Sequence, residues 1–275
     1  ADAADVYKAL AAIVADIERR HPERVDEVRL AGYSLGGIQA LFIAAWQDRQ
    51  PEDGLRFASV TAINPPVDAF AAAIAFDRFF RVPLQWPEAE RQERLRELAL
   101  RLVTWAQGPN DPGGPRPFRR DESQFLVGLG GRDSLAVAAQ AGRFHDRAAK
   151  LNGTPPNAAK NDIADVAGTL SFRRYLREMV EPYFLQAHPG TSLDELTANA
   201  SLRAIASDLG APAWVRVVTN ADDFVLGEDG AAWLRATFGP RLALFPRGGH
   251  LGNLTDPEFQ EAIRQAVGSR SETPR

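Results

Sequence analysis

The chain has 275 residues, a net charge of −4, 45% hydrophobic residues and no cysteine. This length and apolar content allow a sizeable core in one domain with an insertion. The missing cysteines exclude disulfides, thiolate nucleophiles and cysteine-based metal sites, and the slightly acidic balance gives no support to nucleic-acid binding. No apolar stretch approaches the roughly 18 residues that a transmembrane helix needs, so no membrane span is expected.

The first elements in chain order predict a helix, a strand, a glycine-rich turn and a second helix. Apolar residues at helical spacing between Val6 and Ile17 predict the first helix, and residues 25–31 predict a strand. The sequence GYSLGG follows at 32–37 and leads into an apolar helical run. A G-x-S-x-G sequence between a strand and a helix is typical of a nucleophile elbow, the sharp turn that exposes a serine hydroxyl.

This segment supplies a candidate nucleophile and a candidate oxyanion donor. Ser34 is the serine of the G-x-S-x-G sequence and would stand exposed at the turn. The N–H of Leu35 lies at the helix N-terminus, where the positive end of the helix dipole favours a developing oxyanion. The alternative is a glycine-rich turn in which Ser34 only caps the helix.

Residues 57–64 predict the second strand, and the segment that follows it carries two polar candidates. Asn64 and Asp68 lie on either side of a Pro-Pro-Val segment, where the strand would reach the carboxyl edge of the sheet. Together with Tyr33 they are candidates for the rim of the site. The alternative is a proline-stiffened exit from the sheet, in which Asp68 caps the next helix.

Segment 65–210 is far longer than a connection between two neighbouring strands requires, and its pattern is mainly helical. Apolar residues recur at three- and four-residue spacing over four stretches, namely 69–80, 88–106, 135–151 and 170–184. The glycine-rich stretch 128–131 predicts a loop. We therefore expect a helical cap over 65–210, inserted into a core built from 1–64 and 211–275.

The last quarter of the chain supplies an acid and a histidine, each after a predicted strand. Residues 213–219 and 242–245 predict the third and fourth strands. Asp222 and Asp223 follow the third strand, and His250 follows the fourth. A serine nucleophile needs a histidine base and a carboxylate that orients it, so His250 and one aspartate are candidates. The alternatives are a solvated loop histidine and a turn-forming aspartate.

Three segments, GYSLGG, TNADDFV and GGHLGN, give both ends of the chain a resemblance to the α/β-hydrolase superfamily. The resemblance implies an α/β fold in which about four strands form half of a doubly wound parallel sheet, with a large helical cap inserted. It also implies a triad of Ser34, Asp222 and His250, because members usually place the acid in the register of Asp222. Asp223 is the alternate acid.

The strands that ordinarily precede the elbow in this superfamily have no counterpart in the 33 residues before Ser34. One of those strands leads into the loop that donates the second oxyanion N–H. We therefore expect the first strand of this chain to be an open sheet edge. The missing N-terminal portion of the same precursor is then an expected partner. The alternative is an unusual minimal hydrolase.

The resemblance further implies a serine hydrolase that cleaves a carboxylic ester through an acyl-enzyme. The many aromatic residues of the predicted cap favour a small-molecule or lipid-like ester with an apolar acyl group. No sequence pattern indicates a cofactor or a metal ion. Two alternatives remain: a thioesterase or acyltransferase with the same triad, and a noncatalytic binding protein on the same fold.

Overall fold

The computed structural model describes residues 2–47, 54–108, 117–145, 169–210 and 212–268. The chain divides into two compact units. We call Ala1–Ala72 together with Thr197–Arg275 the sheet unit, and Ala73–Leu196 the helical unit. Because both ends of the chain contribute to the sheet unit, the helical unit is an insertion in the sequence. That the segment 65–210 acts as a cap stays a prediction.

The described part of the sheet unit contains four parallel strands, and each strand pairs with its successor along the chain. Their bounds are β1 Arg29–Tyr33, β2 Ser59–Ile63, β3 Val215–Asn220 and β4 Leu242–Phe245. The last residues of neighbouring strands are in register or nearly so, which brings all four carboxyl ends to one edge of the sheet. The predicted strands are confirmed, although three of them begin two to four residues later than the sequence indicates.

The helices lie before, between and after these strands. In chain order they are α1 Asp2–Arg20, α2 Leu35–Trp46, α3 Ala69–Phe80, α4 Glu88–Gln107, α5 Arg120–His145, α6 Phe172–Tyr175, α7 Glu181–Ala187, α8 Leu193–Asn199, α9 Ala206–Gly210, α10 Gly230–Phe238 and α11 Pro257–Gly268. Short 3₁₀ turns lie at Val82–Gln85, Leu202–Ile205, Phe224–Leu226 and Gly239–Arg241, and a π-helical turn, Leu176–Val180, joins α6 to α7. Along the described residues, no helix combines the length and apolar character of a membrane span.

Helices cover both faces of the sheet. The side chains of β2, β3 and β4 alternate between two apolar clusters, one on each face. Val60 and Val217 join residues of α1 and α2 in the main cluster. Ile63 and Val218 join residues of α11 in the second cluster. These findings confirm the predicted fold class: an α/β fold with four parallel strands, consistent with half of an α/β-hydrolase sheet, and helices inserted between β2 and β3.

Among the described residues, β1 forms one edge of the sheet and pairs only with β2. The side chains of Ala31 and Tyr33 on β1 are exposed, whereas every residue of β2 is buried. The burial of the sheet therefore falls off towards β1. Pairing of this edge with an N-terminal portion of the precursor stays a prediction.

The helical unit largely follows the predicted periodicity. The helices predicted at 69–80, 88–106 and 170–184 are confirmed as α3, as α4 and as the run from α6 to α7. The prediction for 135–151 is met up to residue 145, and the remainder lies outside the described residues. The unit is held together partly by buried ion pairs, among them Asp77 with Arg132 at 3.1 Å.

The loop predicted at 128–131 is wrong, because these residues lie inside α5. A Cβ atom at Gly128 would lie 2.2 Å from the backbone nitrogen of Phe80. A Cβ atom at Gly131 would lie 2.4 Å from Cδ1 of Phe76. The glycines therefore permit a close approach between α5 and the end of α3, which outweighs their low helix propensity of about 1 kcal/mol each.

Candidate active site

Ser34 occupies the turn between β1 and α2. The strand ends one residue before Ser34 and the helix begins one residue after it. The backbone of Ser34 has φ 52° and ψ −121°, a strained conformation for a residue with a side chain, and its N–H donates to the carbonyl oxygen of Ile63 at 2.9 Å. A Cβ atom at Gly32 would lie 2.2 Å from the carbonyl oxygen of Gly36, so position 32 requires glycine. The turn thus holds the serine at the carboxyl edge of the sheet.

His250 lies in the loop after β4, and the backbone of this loop takes an unusual path. The φ angle is 144° at Gly248, 57° at Gly249 and 61° at Leu251. A Cβ atom at Gly248 would lie 2.5 Å from Cγ of Asn253, so the path requires glycine at that position. The tight turns before and after His250 allow its ring to point back towards the ends of the neighbouring strands.

Amide side chains fix the histidine loop to the ends of β2 and β3. Asn220, the last residue of β3, exchanges two hydrogen bonds of 2.9 Å with Asn253. Its amide also donates to the carbonyl oxygen of Gly249 at 2.8 Å, and the amide of Asn64 donates to the same oxygen at 3.3 Å. The N–H of Gly249 donates to Oδ1 of Asp222 at 2.8 Å. The residue before the histidine is therefore held through both its N–H and its carbonyl group.

The side chains of Ser34, His250 and Asp223 form a hydrogen-bonded chain at this edge of the sheet. Nε2 of His250 lies 2.9 Å from Oγ of Ser34, and Nδ1 lies 3.0 and 3.2 Å from the two carboxylate oxygens of Asp223. The Asp223 side chain is fully buried, and that of His250 is 12% exposed. The Phe224 ring packs edge-on against the imidazole at a centroid distance of 5.6 Å. The histidine is thus buried on its carboxylate side and packed on one face.

The surroundings of Asp223 determine which imidazole nitrogen carries the proton. Oδ1 of Asp223 accepts from the N–H of Val225 at 3.1 Å, and Oδ2 accepts from the amide of Asn64 at 2.8 Å. Both carboxylate oxygens act as acceptors, so the facing Nδ1 of His250 donates. Nε2 of the neutral ring is then the acceptor for the Ser34 hydroxyl. The arrangement can move a proton from Ser34 to His250.

The structure reverses the sequence preference between the two adjacent aspartates. The sequence favoured Asp222 as the partner of His250, but Asp223 is the residue that faces the ring. Asp222 is exposed and accepts a backbone N–H from the histidine loop. The physical reason is local: Asp223 caps the 3₁₀ turn Phe224–Leu226, which directs its side chain into the protein.

The other predicted site residues take three different positions. Leu35 begins α2, so its N–H lies in the first helical turn beside Ser34, where the helix offers no acceptor. The side chains of Tyr33 and Leu35 flank Ser34 along the chain and are 64% and 60% exposed. Oδ1 of Asp68 accepts from the N–H of Ala71 at 2.7 Å, so Asp68 caps α3, which is the alternative that the sequence left open.

Some residues of the site were missed or only partly predicted. Asn64 was a candidate for the rim, but it is fully buried and contacts Asp223. Asn220, Asn253 and Phe224 were not predicted at all. Their signal was their position, because Asn220 and Phe224 lie in the segment TNADDFV and Asn253 lies in the segment GGHLGN. Within the part of the chain that the structure describes, no group of three or more histidine, aspartate or glutamate residues is placed to hold a metal ion.

Comparisons with known proteins leave the family open. No protein-family model matches the chain, and no curated protein matches it. Among solved structures, the chain is similar to the peroxisomal α/β-hydrolase Lpx1 from Saccharomyces cerevisiae, with 16% sequence identity and a TM-score of 0.40. The match covers 99% of this chain and 62% of Lpx1, so the chain spans less than two thirds of that protein's length. At this identity and TM-score the likeness does not identify a family.

Proposed function

We propose that this protein is a serine hydrolase of the α/β-hydrolase type that cleaves a carboxylic ester through an acyl-enzyme. The observation that carries the proposal is the hydrogen-bonded chain from Ser34 through the His250 ring to Asp223, with distances of 2.9 and 3.0 Å. The strained turn from strand to helix, the parallel sheet and the chain order serine, aspartate, histidine support the assignment to this superfamily.

In the first half-reaction, Oγ of Ser34 attacks the carbonyl carbon of the ester. As the new C–O bond forms, the hydroxyl proton passes to Nε2 of His250, and Asp223 stabilises the resulting imidazolium through Nδ1–H. The N–H of Leu35 donates to the oxyanion, which is stabilised further by the positive end of α2. When the intermediate collapses, the leaving alkoxide takes the proton from His250 and departs as an alcohol.

In the second half-reaction, water replaces the alcohol. Nε2 of His250 takes a proton from the water as the water oxygen attacks the acyl carbon on Ser34. Collapse of the second tetrahedral intermediate breaks the bond to Oγ, returns the proton to Ser34 and releases a carboxylic acid. The side chains of the triad account for every proton that moves, so the proposal requires no cofactor.

The side chains beside the serine favour a substrate with an apolar acyl group. Tyr33 and Leu35 are more than half exposed, although both are large and mainly apolar. An acyl chain that covered them would remove apolar surface from water at the position where the ester must bind. We infer a small-molecule or lipid-like ester, with a helical cap over 65–210 and an N-terminal portion of the precursor as further proposed parts of the enzyme.

Active-site labelling tests the serine directly. The intact protein is treated with a fluorophosphonate probe, and mass spectrometry locates the adduct. We expect a single adduct at Ser34 that is lost in Ser34→Ala, because Ser34 is the one serine of the described residues that faces a histidine base. Ser134→Ala is the matched control, since Ser134 is exposed on α5 and donates to the carbonyl oxygen of Gly130. It should be labelled like the wild type.

A protein that takes no label would contradict the proposal and would favour a noncatalytic binding protein. Labelling of only a longer form of the polypeptide would support the N-terminal portion as the partner that completes the oxyanion hole. After labelling, p-nitrophenyl esters of rising acyl length test the substrate class. Each buried methylene contributes about 0.8 kcal/mol, so kcat/KM should rise by up to about fourfold per methylene. Matched thioesters and competing alcohols distinguish a thioesterase or an acyltransferase.

A further inference from the structure

Asn64 follows the carboxyl end of β2 and contacts Asp223, the carboxylate partner of His250, and the residue before His250. Its Nδ2 is 2.8 Å from Oδ2 of Asp223 and 3.3 Å from the carbonyl oxygen of Gly249, the residue before His250. A third acceptor, Oγ1 of Thr219, is also 3.3 Å away. We propose that Asn64 is a positioning residue that aims the Asp223 carboxylate at the His250 ring. This inference rests on the proposed function.

The choice of asparagine at this position is explained by two requirements together. The φ angle of Asn64 is 47°, a region that glycine, asparagine and aspartate tolerate best. Glycine would provide no side-chain donor, and aspartate would set a second carboxylate against Asp223. Asparagine is the residue that accepts this backbone conformation and donates N–H groups as well.

The structure retains Asn64 although it carries two unfavourable features. Its φ angle is positive, and its Oδ1 is buried without a hydrogen-bond partner among the described residues. A buried acceptor without a partner is destabilising, and so is a positive φ for a residue with a side chain. Unfavourable local features of this kind concentrate at functional sites, where another interaction requires them. Here the contact with Asp223 is that interaction.

The contacts of Asp223 explain what the amide of Asn64 does. One carboxylate oxygen is fixed by the N–H of Val225 and the other by Asn64, which stops the carboxylate from rotating. Nδ1 of His250 therefore meets both oxygens, at 3.0 and 3.2 Å. Because Asn64 is fully buried, it does not touch substrate. Loss of the amide should consequently lower kcat and leave KM nearly unchanged.

Two variants at this position separate the amide from the backbone. Asn64→Gly and Asn64→Ala both remove the amide, but only glycine tolerates the positive φ without strain. We expect both to lower kcat and the rate of Ser34 labelling by about 10- to 100-fold, the range for a lost hydrogen bond to a charged group, with KM within about twofold. Asn64→Gly should have a higher Tm than Asn64→Ala. The loss of activity would then be due to the missing amide, and the difference in Tm would be due to backbone strain.

The matched control is Thr61→Val on β2, the strand that precedes Asn64. Thr61 is fully buried, and its hydroxyl has no hydrogen-bond partner among the described residues. This change removes a buried polar group from β2 without touching the triad, so kcat and labelling should stay at the wild-type level. Wild-type kcat in Asn64→Gly would overturn the inference, as would an activity in Asn64→Ala that exceeds that of Asn64→Gly.

A spectroscopic readout keeps this test separate from the proposed function. The Nδ1–H proton of His250, bonded to a carboxylate, should give a downfield NMR resonance that disappears in Asp223→Ala. In Asn64→Gly we expect this resonance to shift, and an unchanged resonance would overturn the inference. If the wild type takes no fluorophosphonate label, the proposed function fails, and the resonance alone then decides whether Asn64 positions Asp223.

Discussion

Buried carboxylates have different hydrogen-bond partners in the two units. In the helical unit, Asp77 accepts from Arg132, and Glu122 accepts from Arg101 at 2.8 and 3.0 Å and from Arg94 at 3.4 Å. A guanidinium stays charged at every accessible pH, so at neutral pH these pairs have a fixed charge balance. They join helices and hold no imidazole that could take up a proton in a reaction.

In the sheet unit, the described donors to Asp223 are an imidazole, an amide and a backbone N–H. Of these only the imidazole of His250 can gain a charge. No permanently charged partner therefore neutralises the buried carboxylate. Its negative charge can stabilise the imidazolium that forms when His250 takes a proton. Under the proposed function, the difference teaches how to recognise a carboxylate that takes part in chemistry: none of its partners is permanently charged, and one of them can be protonated.

Replacing the carboxylate of Asp223 should produce the largest effect. Asp223→Asn removes the acceptor that fixes the imidazole tautomer and stabilises the imidazolium, so kcat should fall by about 1,000- to 10,000-fold, as for other triads. Asp222→Asn keeps an oxygen that can accept the N–H of Gly249, so its kcat should stay within about threefold. The kcat values of both variants with a p-nitrophenyl ester provide the measurement.

The opposite order of effects would return the role of the acid to Asp222, as the sequence favoured. Equal losses in both variants would indicate that the loop had been disturbed as a whole. Circular dichroism spectra and Tm values that match those of the wild type are the control for folding.

Glu122 should give a smaller effect that appears only in stability. Hydrogen bonds from Arg101 hold the pKa of Glu122 at about 2, below its ordinary value of 4.5. Because the pKa is lower in the folded state, the ionised carboxylate stabilises the fold above about pH 4.5, and this contribution is lost as the pH falls towards 2. Glu122→Gln should therefore destabilise the helical unit by about 3 kcal/mol at pH 7 and progressively less below pH 4.5.

Hydrogen exchange of the α4 and α5 amides at pH 7, 4 and 3 measures this dependence within the helical unit. Glu93→Gln is the control, since Glu93 pairs with Arg96 on an exposed face, where such pairs contribute little. It should leave the pH dependence of the wild type unchanged. A constant difference between Glu122→Gln and the wild type from pH 7 to pH 3 would show that the carboxylate charge does not stabilise the unit.

The sequence predicted those features that local residues determine. The strand at 242–245 and the helix at 69–80 have the predicted bounds, because apolar periodicity and the flanking residues define them. The serine turn was found because its conformation requires a small residue at position 32. His250 was found because it directly follows the glycines after β4.

Features that depend on distant contacts were not predictable in this way. Which of two adjacent aspartates faces the ring depends on how the chain turns after β3. The register of the family pattern, which covers only a few residues, favoured Asp222. The burial of Asn64 against Asp223 joins residues 159 positions apart. The loop predicted at 128–131 was wrong because local propensity cannot detect the approach of Phe80 to Gly128.

The smallest predicted effect concerns the glycines of α5. It tests whether the close approach of α3 explains why they are glycine. A Cβ atom at Gly130 would meet nothing within 4 Å, so Gly130→Ala should stabilise the helical unit by about 1 kcal/mol through helix propensity alone. Gly128→Ala adds the same methyl group two residues earlier, but against the backbone of Phe80, and should destabilise the unit. Hydrogen exchange of α5 measures both changes. If both alanines stabilised the unit, the close approach of α3 would not require glycine at position 128.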